Sequence, residues 1–282
     1  MIVPGSSSQS LAAALSSELD RTLAPVEFER FPDGELLAAA PDVEGDSAVI
    51  VASTTTSDAH LELLQLQDAL RESGVSNITT VLPYMGYARQ DSAFEPGQPV
   101  SVRAVARAVS TGTDRVLTVS PHEESALEHF SVPAHAVDGA GVLADPLPDL
   151  ADPVFLSPDA GAIELAETVR DSYGGGEVDY FEKTRHSGSE VEITPSDVEV
   201  EGRDVVIADD IIATGSTMSG AISALETPRS VFVTCVHPML AANARTKLAR
   251  AGVERVYGTD TIERAESEVS VAGPLAEAIR SF

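Results

Sequence analysis

The chain has 282 residues and sets 45 acidic side chains against 18 basic ones, a formal net charge of −27 at a mean hydropathy of +0.03. Such a surface repels nucleic-acid phosphates and anionic lipid, which excludes broad contact with either. The 43% of apolar residues excludes a disordered acidic chain and suffices for about two cores at ~150 residues each.

The first ten residues, MIVPGSSSQS, lack a basic segment and a long apolar run, so no signal peptide is expected. No apolar stretch approaches the ~18 residues that span a bilayer, and a cytoplasmic protein is expected. Strand-like and helical patterns then alternate. Ala48–Ala52 is a candidate strand, and Leu61–Glu72 is a helix with Leu63, Leu66 and Leu70 on one stripe. Ile78–Leu82 is a strand, Val100–Val109 a helix, and Val116–Val119 another strand. The Gly-, Pro- and Asp-rich stretch 138–152 predicts an inter-domain connection, giving domains at 1–140 and 141–282. The second half continues with strand Val154–Leu156, helix Ala160–Ser172, a loop at Gly174–Gly176 and the strand-like Glu177–Phe181. Strand Val205–Ala208, helix Thr217–Leu225 and strands Val231–Val236 and Arg255–Tyr257 follow. Most of these strands lack strict apolar/polar alternation, as parallel strands covered on both faces do. The single cysteine, Cys235, falls inside one of them, so neither an intrachain disulfide nor a thiolate metal cluster is available. The pattern predicts α/β architecture with mainly parallel sheets.

The strongest local signal is Val205-Val206-Ile207-Ala208-Asp209-Asp210-Ile211-Ile212-Ala213-Thr214-Gly215-Ser216-Thr217-Met218. A buried strand ends in two carboxylates, a turn of small residues follows, and a helix begins. Successive N–H groups of Thr214–Thr217 at a helix N-terminus form an anion seat, and Gly215 permits close approach. Asp209 and Asp210 would repel a bare phosphate but accept hydrogen bonds from sugar hydroxyls one group away. The combination suits a phosphorylated sugar. A simple capped turn would leave the paired carboxylates unexplained. Gly-Lys-Ser/Thr is absent, so this is no Walker loop.

This segment resembles the PRPP-binding motif shared by phosphoribosyltransferases and PRPP synthases. Three further segments resemble the ribose-phosphate pyrophosphokinase (PRPP synthase) family specifically: Phe31-Pro32-Asp33-Gly34-Glu35, Pro83-Tyr84-Met85-Gly86-Tyr87-Ala88-Arg89-Gln90-Asp91, and Ser157-Pro158-Asp159-Ala160-Gly161. They occur in the family's order, from about Ile2 to Tyr257. The resemblance implies two phosphoribosyltransferase-like domains, each a mainly parallel sheet flanked by helices, with the last helix near Gly273–Arg280 packed back on the first. It implies transfer of the diphosphoryl group of ATP to ribose 5-phosphate, with Mg²⁺, in a homo-oligomer built from dimers. By the same resemblance Asp33, Gly34 and Glu35 reach ATP from a neighbouring subunit, and Arg89 and Gln90 bind ATP. His122 and Asp159 serve the metal, and Lys183 and Arg185 form a mobile catalytic loop. Asp209, Asp210, Ala213, Thr214, Gly215, Ser216 and Thr217, with Arg185, hold ribose 5-phosphate. The chain departs from the family pattern at Ser120-Pro121, where Asp-Leu usually precedes the His. It departs again at Ala213 and Ser216, where many members have Asp and Gly.

Two rivals remain at this level. A phosphoribosyltransferase would consume PRPP, although such enzymes lack the Tyr/Arg/Gln/Asp block. An inactive regulatory paralogue would be expected to have lost the Asp-Asp turn or the catalytic loop, and both are present. Only two lysines occur in the chain, Lys183 and Lys247, and one lies in that loop.

An acid excess spread along the whole chain fits a salt-rich cytoplasm, where a short Debye length screens self-repulsion. The melting temperature should therefore fall when multimolar KCl is replaced by low salt. Equal melting in the two buffers would remove the adaptation argument.

Overall fold

The structure is a computed structural model. It describes the backbone of residues 1–187, 190–194 and 198–282, and the side chains of 1–181 and 198–282. Two compact units are present. The first comprises Met1–Asp138 with Asp260–Glu263 and Ser270–Phe282, and the second comprises Gly139–Thr259 with Arg264–Val269.

In the first unit β1 (Ile2–Pro4), α1 (Gln9–Leu19), β2 (Glu27–Arg30), β3 (Leu36–Ala39), β4 (Ser47–Val51) and α2 (Ser57–Glu72) come first. Then follow β5 (Asn77–Leu82), α3 (Ser101–Val109), β6 (Arg115–Val119) and β7 (Ala134–Val137). A parallel sheet runs in the order β1-β4-β5-β6-β7. Its strands are buried on both faces, with Ile50, Val51, Ile78, Val81 and Leu82 nearly inaccessible. Helix α2 starts earlier than its apolar stripe suggests because Thr56 caps it, accepting the Ala59 N–H at 3.1 Å. The Gln67 side chain, buried on α2, donates to Thr80 Oγ1 and to the Val109 carbonyl at 3.0 and 3.1 Å, tying sheet, α2 and the end of α3 together.

The strands at the rims were not apparent in the sequence pattern. β1 spans three residues, and β2–β3 is an exposed antiparallel hairpin whose first strand is Glu-Phe-Glu-Arg. β1 is fully buried but too short to show a period, and the hairpin carries no buried apolar run. Helix α1 is rich in Ala and Ser, so its stripe of Leu11 and Leu15 is thin.

In the second unit the elements are β8 (Val154–Ser157), α4 (Ile163–Tyr173), β9 (Glu177–Tyr180), β10 (Glu182–Ser187), β11 (Glu190–Thr194) and β12 (Asp204–Ile211). They continue with α5 (Ser216–Ser223), β13 (Ser230–His237), α6 (Ala244–Arg250), β14 (Arg255–Thr259) and β15 (Ser267–Val269). The parallel sheet has the order β15-β14-β13-β12-β8-β9. Helix α4 begins three residues after the predicted start, because Asp159 caps a separate 3-10 turn, Ala160–Ala162, through the Gly161 N–H.

Two expectations change. Lys183 and Arg185 were expected in a loop, but their backbone belongs to β10 of an antiparallel ribbon, with Lys183 opposite Ile193 and Arg185 opposite Val191. The β-branched alternation of Glu-Val-Glu-Ile-Thr in β11 favours this pairing. The Lys183 and Arg185 side chains lie outside the described residues. Strand β12 also runs through Ile211, paired with His237, so Asp209 and Asp210 sit within the strand and not past its end.

After β14 the chain supplies Asp260–Glu263 to the first unit. Glu263 accepts the Ser10 N–H at 2.6 Å at the start of α1. Asp260 accepts the Val271 N–H at 2.9 Å, ahead of α7 (Ala272–Arg280). Helix α7 packs on α1 and β7.

In the second unit Asp204 opens β12 with 1% of its side chain exposed. Burial alone would raise its pKa. Hydrogen bonds from Ser230, the Ala151 N–H (2.7 Å) and Arg229 (Nε at 2.8 Å) outweigh that and hold it below the usual carboxylate range. A lowered native pKa contributes stability above the unfolded value of about 3.9, and that contribution is lost as pH falls through the lower native value. Asp204→Asn should cost about 2–3 kcal/mol at neutral pH. In urea melts the gap from the parent should close as pH drops below about 4. A gap that stays constant to lower pH would refute the assignment.

Candidate functional site

Ligands of open parallel sheets gather beyond the carboxyl ends of the strands. In the second unit those ends carry Asp159 after β8, Asp209 and Asp210 on β12, and the turn that leads into α5. Strands β8 and β12 are parallel neighbours, with Leu156 opposite Ile207. That register sets Asp159 beside the Asp209–Asp210 pair.

The Asp209 carboxyl carries a pKa well above the usual carboxylate range. Burial is the main cause, and the like charges of Asp210 and, less strongly, Asp159 add to it. Asp209 Oδ1 accepts the Asp210 N–H at 3.0 Å. Across β13 the buried Cys235 stands opposite Asp209, and its thiol pKa is likewise pushed up, by burial and then by that carboxylate. A thiol held protonated in this way is a core residue and not a nucleophile.

The turn itself is defined by where its carbonyls point. Ile212 O accepts the Leu240 N–H and Ala213 O accepts the Ala241 N–H, each at 2.8 Å. Thr214 O accepts Lys247 Nζ at 3.2 Å. Three consecutive carbonyls are thus held by the segment that follows β13. A trans peptide sets each N–H antiparallel to the preceding C=O, and no cis bond occurs among the described residues. The N–H groups of Ala213, Thr214 and Gly215 therefore face away from that segment. Among the described residues no acceptor takes the N–H of any residue from Ala213 to Thr217. The last two belong to the first turn of α5, whose N–H groups have no partner within the helix.

Gly215 is left-handed (φ 69°), and an added Cβ would meet Ala244 only at 3.4 Å, so backbone conformation and not space calls for glycine. The presenting segment is itself strained, with Leu240 at φ 47° and Ala242 at φ 53°. Thr214, Ser216 and Thr217 are exposed, and the Thr214 and Ser216 hydroxyls lie 3.3 Å apart. Lys247 Nζ also donates to Ser216 Oγ at 2.6 Å. The sequence singled out Lys247 only as the second lysine of the chain, and its place behind this turn is decided by α6.

In the first unit the loops after β4 and β5 are stitched together. Thr54 N–H donates to Tyr84 O at 3.0 Å, and Gly86 N–H donates to Thr54 Oγ1 at 2.9 Å. A Cβ on Gly86 would fall 2.0 Å from the Thr54 carbonyl oxygen, which explains the glycine in the Pro83–Asp91 block. Tyr87, in the same block, holds a left-handed φ of 64°, a strain of the kind that collects at functional sites. A cavity of about 270 Å³ lies here, lined by Thr54–Ser57, Tyr84, Gly86 and Tyr87.

Gln90 is anchored: its side-chain oxygen accepts the Ser101 hydroxyl and its carbonyl accepts the Val102 N–H at 3.3 Å, at the start of α3. Arg89 is exposed and has no acidic partner among the described residues. His122 is exposed just past β6, after Ser120 at φ 33°. Asp33, Gly34 and Glu35 form the exposed tip of the β2–β3 hairpin, closed by Gly34 at φ 95° and by Asp33 Oδ1 accepting the Glu35 N–H at 3.2 Å. Among the described residues no group of three His, Cys, Asp or Glu side chains is placed to hold a metal ion by itself.

A family profile for the N-terminal domain of ribose phosphate pyrophosphokinase matches residues 1–112, and one for the phosphoribosyl transferase domain matches residues 148–273. Ribose-phosphate pyrophosphokinases from Halobacterium salinarum and Methanopyrus kandleri are similar along their length. The first is 65% identical over 99% of this chain and 100% of its own, and the second is 44% identical over 96% of each. The crystal structure of phosphoribosylpyrophosphate synthetase from Mycobacterium smegmatis matches with a TM-score of 0.82 at 28% identity, covering 100% of this chain and 97% of that one.

The raised Asp209 pKa has a stability consequence. A carboxyl whose native pKa lies above its unfolded value favours the fold at low pH, and that advantage is lost as pH rises through the native value. Near neutrality the ionised group opposes folding. Asp209→Asn should therefore melt at a higher temperature than the parent in ligand-free protein near pH 8. A lower melting temperature would contradict the burial argument.

Proposed function

The chain belongs to the ribose-phosphate pyrophosphokinase family, and from that premise we propose how its residues divide the work of transfer. The reaction moves the diphosphoryl group of ATP to the anomeric hydroxyl of ribose 5-phosphate, yielding PRPP and AMP. The hydroxyl oxygen attacks the β-phosphorus and the bond to the α-phosphate oxygen breaks. Protein groups contribute by alignment and charge neutralisation more than by covalent chemistry.

The run of outward N–H groups from Ala213 to Thr217 carries this reading. It takes the 5-phosphate, with the hydroxyls of Thr214, Ser216 and Thr217 as further donors. Asp209 and Asp210, one group away, accept hydrogen bonds from the ribose hydroxyls. The alanine at 213 removes one carboxylate from the mouth of the seat and leaves the backbone donors intact.

Arg89 and Gln90 bind ATP. The support is an arginine without an acidic partner among the described residues, next to a glutamine fixed by α3. A guanidinium of this kind clamps phosphate and stacks on a base. Asp33, Gly34 and Glu35 reach the nucleotide of a neighbouring subunit in an oligomer built from dimers. Their exposed hairpin, which also shows Phe28, Phe31 and Leu37 to solvent, suits such a reach. Lys183 and Arg185, on the ribbon β10–β11, bring cations to the phosphates as negative charge moves onto the departing AMP, and Arg185 also contacts the sugar phosphate.

Mg²⁺ suits the oxygen donors at the second unit's strand ends. Asp159, beside Asp209 and Asp210, offers the kind of hard carboxylate this ion takes, and a divalent cation would relieve the part of the raised Asp209 pKa that, after burial, comes from the neighbouring like charges. When bound, the ion neutralises phosphate charge. His122, past β6, is assigned to the metal at the ATP side.

Incubation with ATP, Mg²⁺ and ribose 5-phosphate at high salt should yield PRPP and AMP in equal amounts by mass detection. Lys183→Ala should lower kcat by roughly 10²-fold or more, the scale of one electrostatic stabiliser, with smaller changes in both KM values. Unchanged turnover would remove Lys183 from the mechanism.

A further inference from the structure

We propose that Lys247 on α6 is a positioning residue for ribose 5-phosphate, which sets both the backbone and the hydroxyl donors of the 5-phosphate seat from behind. The inference rests on the reading of Ala213–Thr217 as that seat.

Two hydrogen bonds carry it. The first, Lys247 Nζ to Thr214 O at 3.2 Å, is the third in the row of carbonyl anchors after Leu240 and Ala241. The other two come from rigid backbone, whereas this one comes from a side chain and can be removed by substitution. Because the peptide is planar, holding the Thr214 carbonyl toward α6 fixes the Gly215 N–H on the opposite side, toward the ligand. Gly215 is the residue least able to hold its own orientation, so the anchor acts where the backbone is freest.

The second bond, Lys247 Nζ to Ser216 Oγ at 2.6 Å, decides a hydrogen-bond polarity. An ammonium only donates. Ser216 Oγ is therefore an acceptor toward Lys247, and its single proton must point elsewhere. The described alternative is Thr214 Oγ1 at 3.3 Å, a long contact. An incoming phosphate oxygen is the better acceptor for either hydroxyl, and the nearby ammonium strengthens Ser216 as a donor. Ser216 thus presents a hydroxyl at the mouth of the turn, directed by a lysine one helix away. A cation here also offsets the acid of Asp159, Asp209 and Asp210 around an anionic substrate.

The test compares Lys247→Met, Lys247→Arg, Ser216→Ala, Thr217→Ala and the Lys247→Met/Ser216→Ala double variant in high-salt buffer. Steady-state kinetics, calorimetric titration with ribose 5-phosphate and melting temperatures are read for each. Lys247→Met should raise KM and Kd for ribose 5-phosphate about tenfold, on the scale of a lost charged hydrogen bond, with KM for ATP within a factor of two. Lys247→Arg should recover part of the loss. The double variant should lose less than the product of the two single losses, because Lys247 acts partly through Ser216.

Unchanged ribose 5-phosphate affinity in Lys247→Met, with Thr217→Ala weakened, overturns the role of Lys247 and leaves the seat standing. Unchanged affinity in Thr217→Ala and Ser216→Ala as well overturns the hydroxyl part of the seat together with the role of Lys247, and absence of any heat of ribose 5-phosphate binding to the parent protein overturns the seat itself. A Lys247→Met variant that loses both substrates equally while melting lower, without recovery in Lys247→Arg, shows a merely structural lysine and also overturns the proposal.

Discussion

The orientation of a few peptide planes governs the second half of this protein. An anion seat made of backbone works only if successive N–H groups face one way, and a free turn of Ala-Thr-Gly-Ser has no reason to hold them so. Here the carbonyls of Ile212, Ala213 and Thr214 are held on the far side by Leu240, Ala241 and Lys247. The parallel pairing of β12 with β13 delivers that segment to the right place, and the left-handed Leu240 and Ala242 bend it to present its donors. Unfavourable backbone conformations in one loop thus stabilise a useful one in its neighbour.

The same topological device recurs in the first unit with different chemistry. There β4 runs beside β1 and β5, as β12 runs beside β8 and β13. A hairpin precedes β4 as a ribbon precedes β12. The strand-to-helix turn after β4 is Ser-Thr-Thr-Thr-Ser, capped by Thr56 and without an Asp pair. Its close approach to the β5 loop, which requires Gly86, fixes the base of the segment that bears Arg89 and Gln90. One scaffold thus offers a hydroxyl-lined cavity in one copy and an acid-flanked backbone seat in the other.

Charge gives the arrangement its economy of cations. With a net charge of −27, a phosphate substrate meets repulsion over most of the surface, and only locally placed positive groups can reverse it. Arginines such as Arg229, Arg245 and Arg255 are engaged by Asp204, Glu266 and Glu268. Arg89 has no such partner among the described residues, and Lys247 is spent on a carbonyl and a hydroxyl of the turn.

Much was legible in the sequence because it depends on local pattern. The central strands, the helices α2 and α3, the helix after the Asp-Asp turn and the family's own segments all follow from apolar periodicity or from residues adjacent in the chain. Rim elements escaped for the opposite reason. β1 is buried but only three residues long, β2, β3 and β15 bury too little to leave a pattern, and β10 reads as a charged loop until β11 pairs with it. What the sequence by itself determined was the fold class and the residue types of the sugar-phosphate turn. Tertiary structure alone decided that Lys247, 30 residues beyond Thr217, stands behind that turn, and that burial pushes up the Asp209 pKa. Both depend on which strand lies beside β12, and a contact between distant segments leaves no trace in local periodicity.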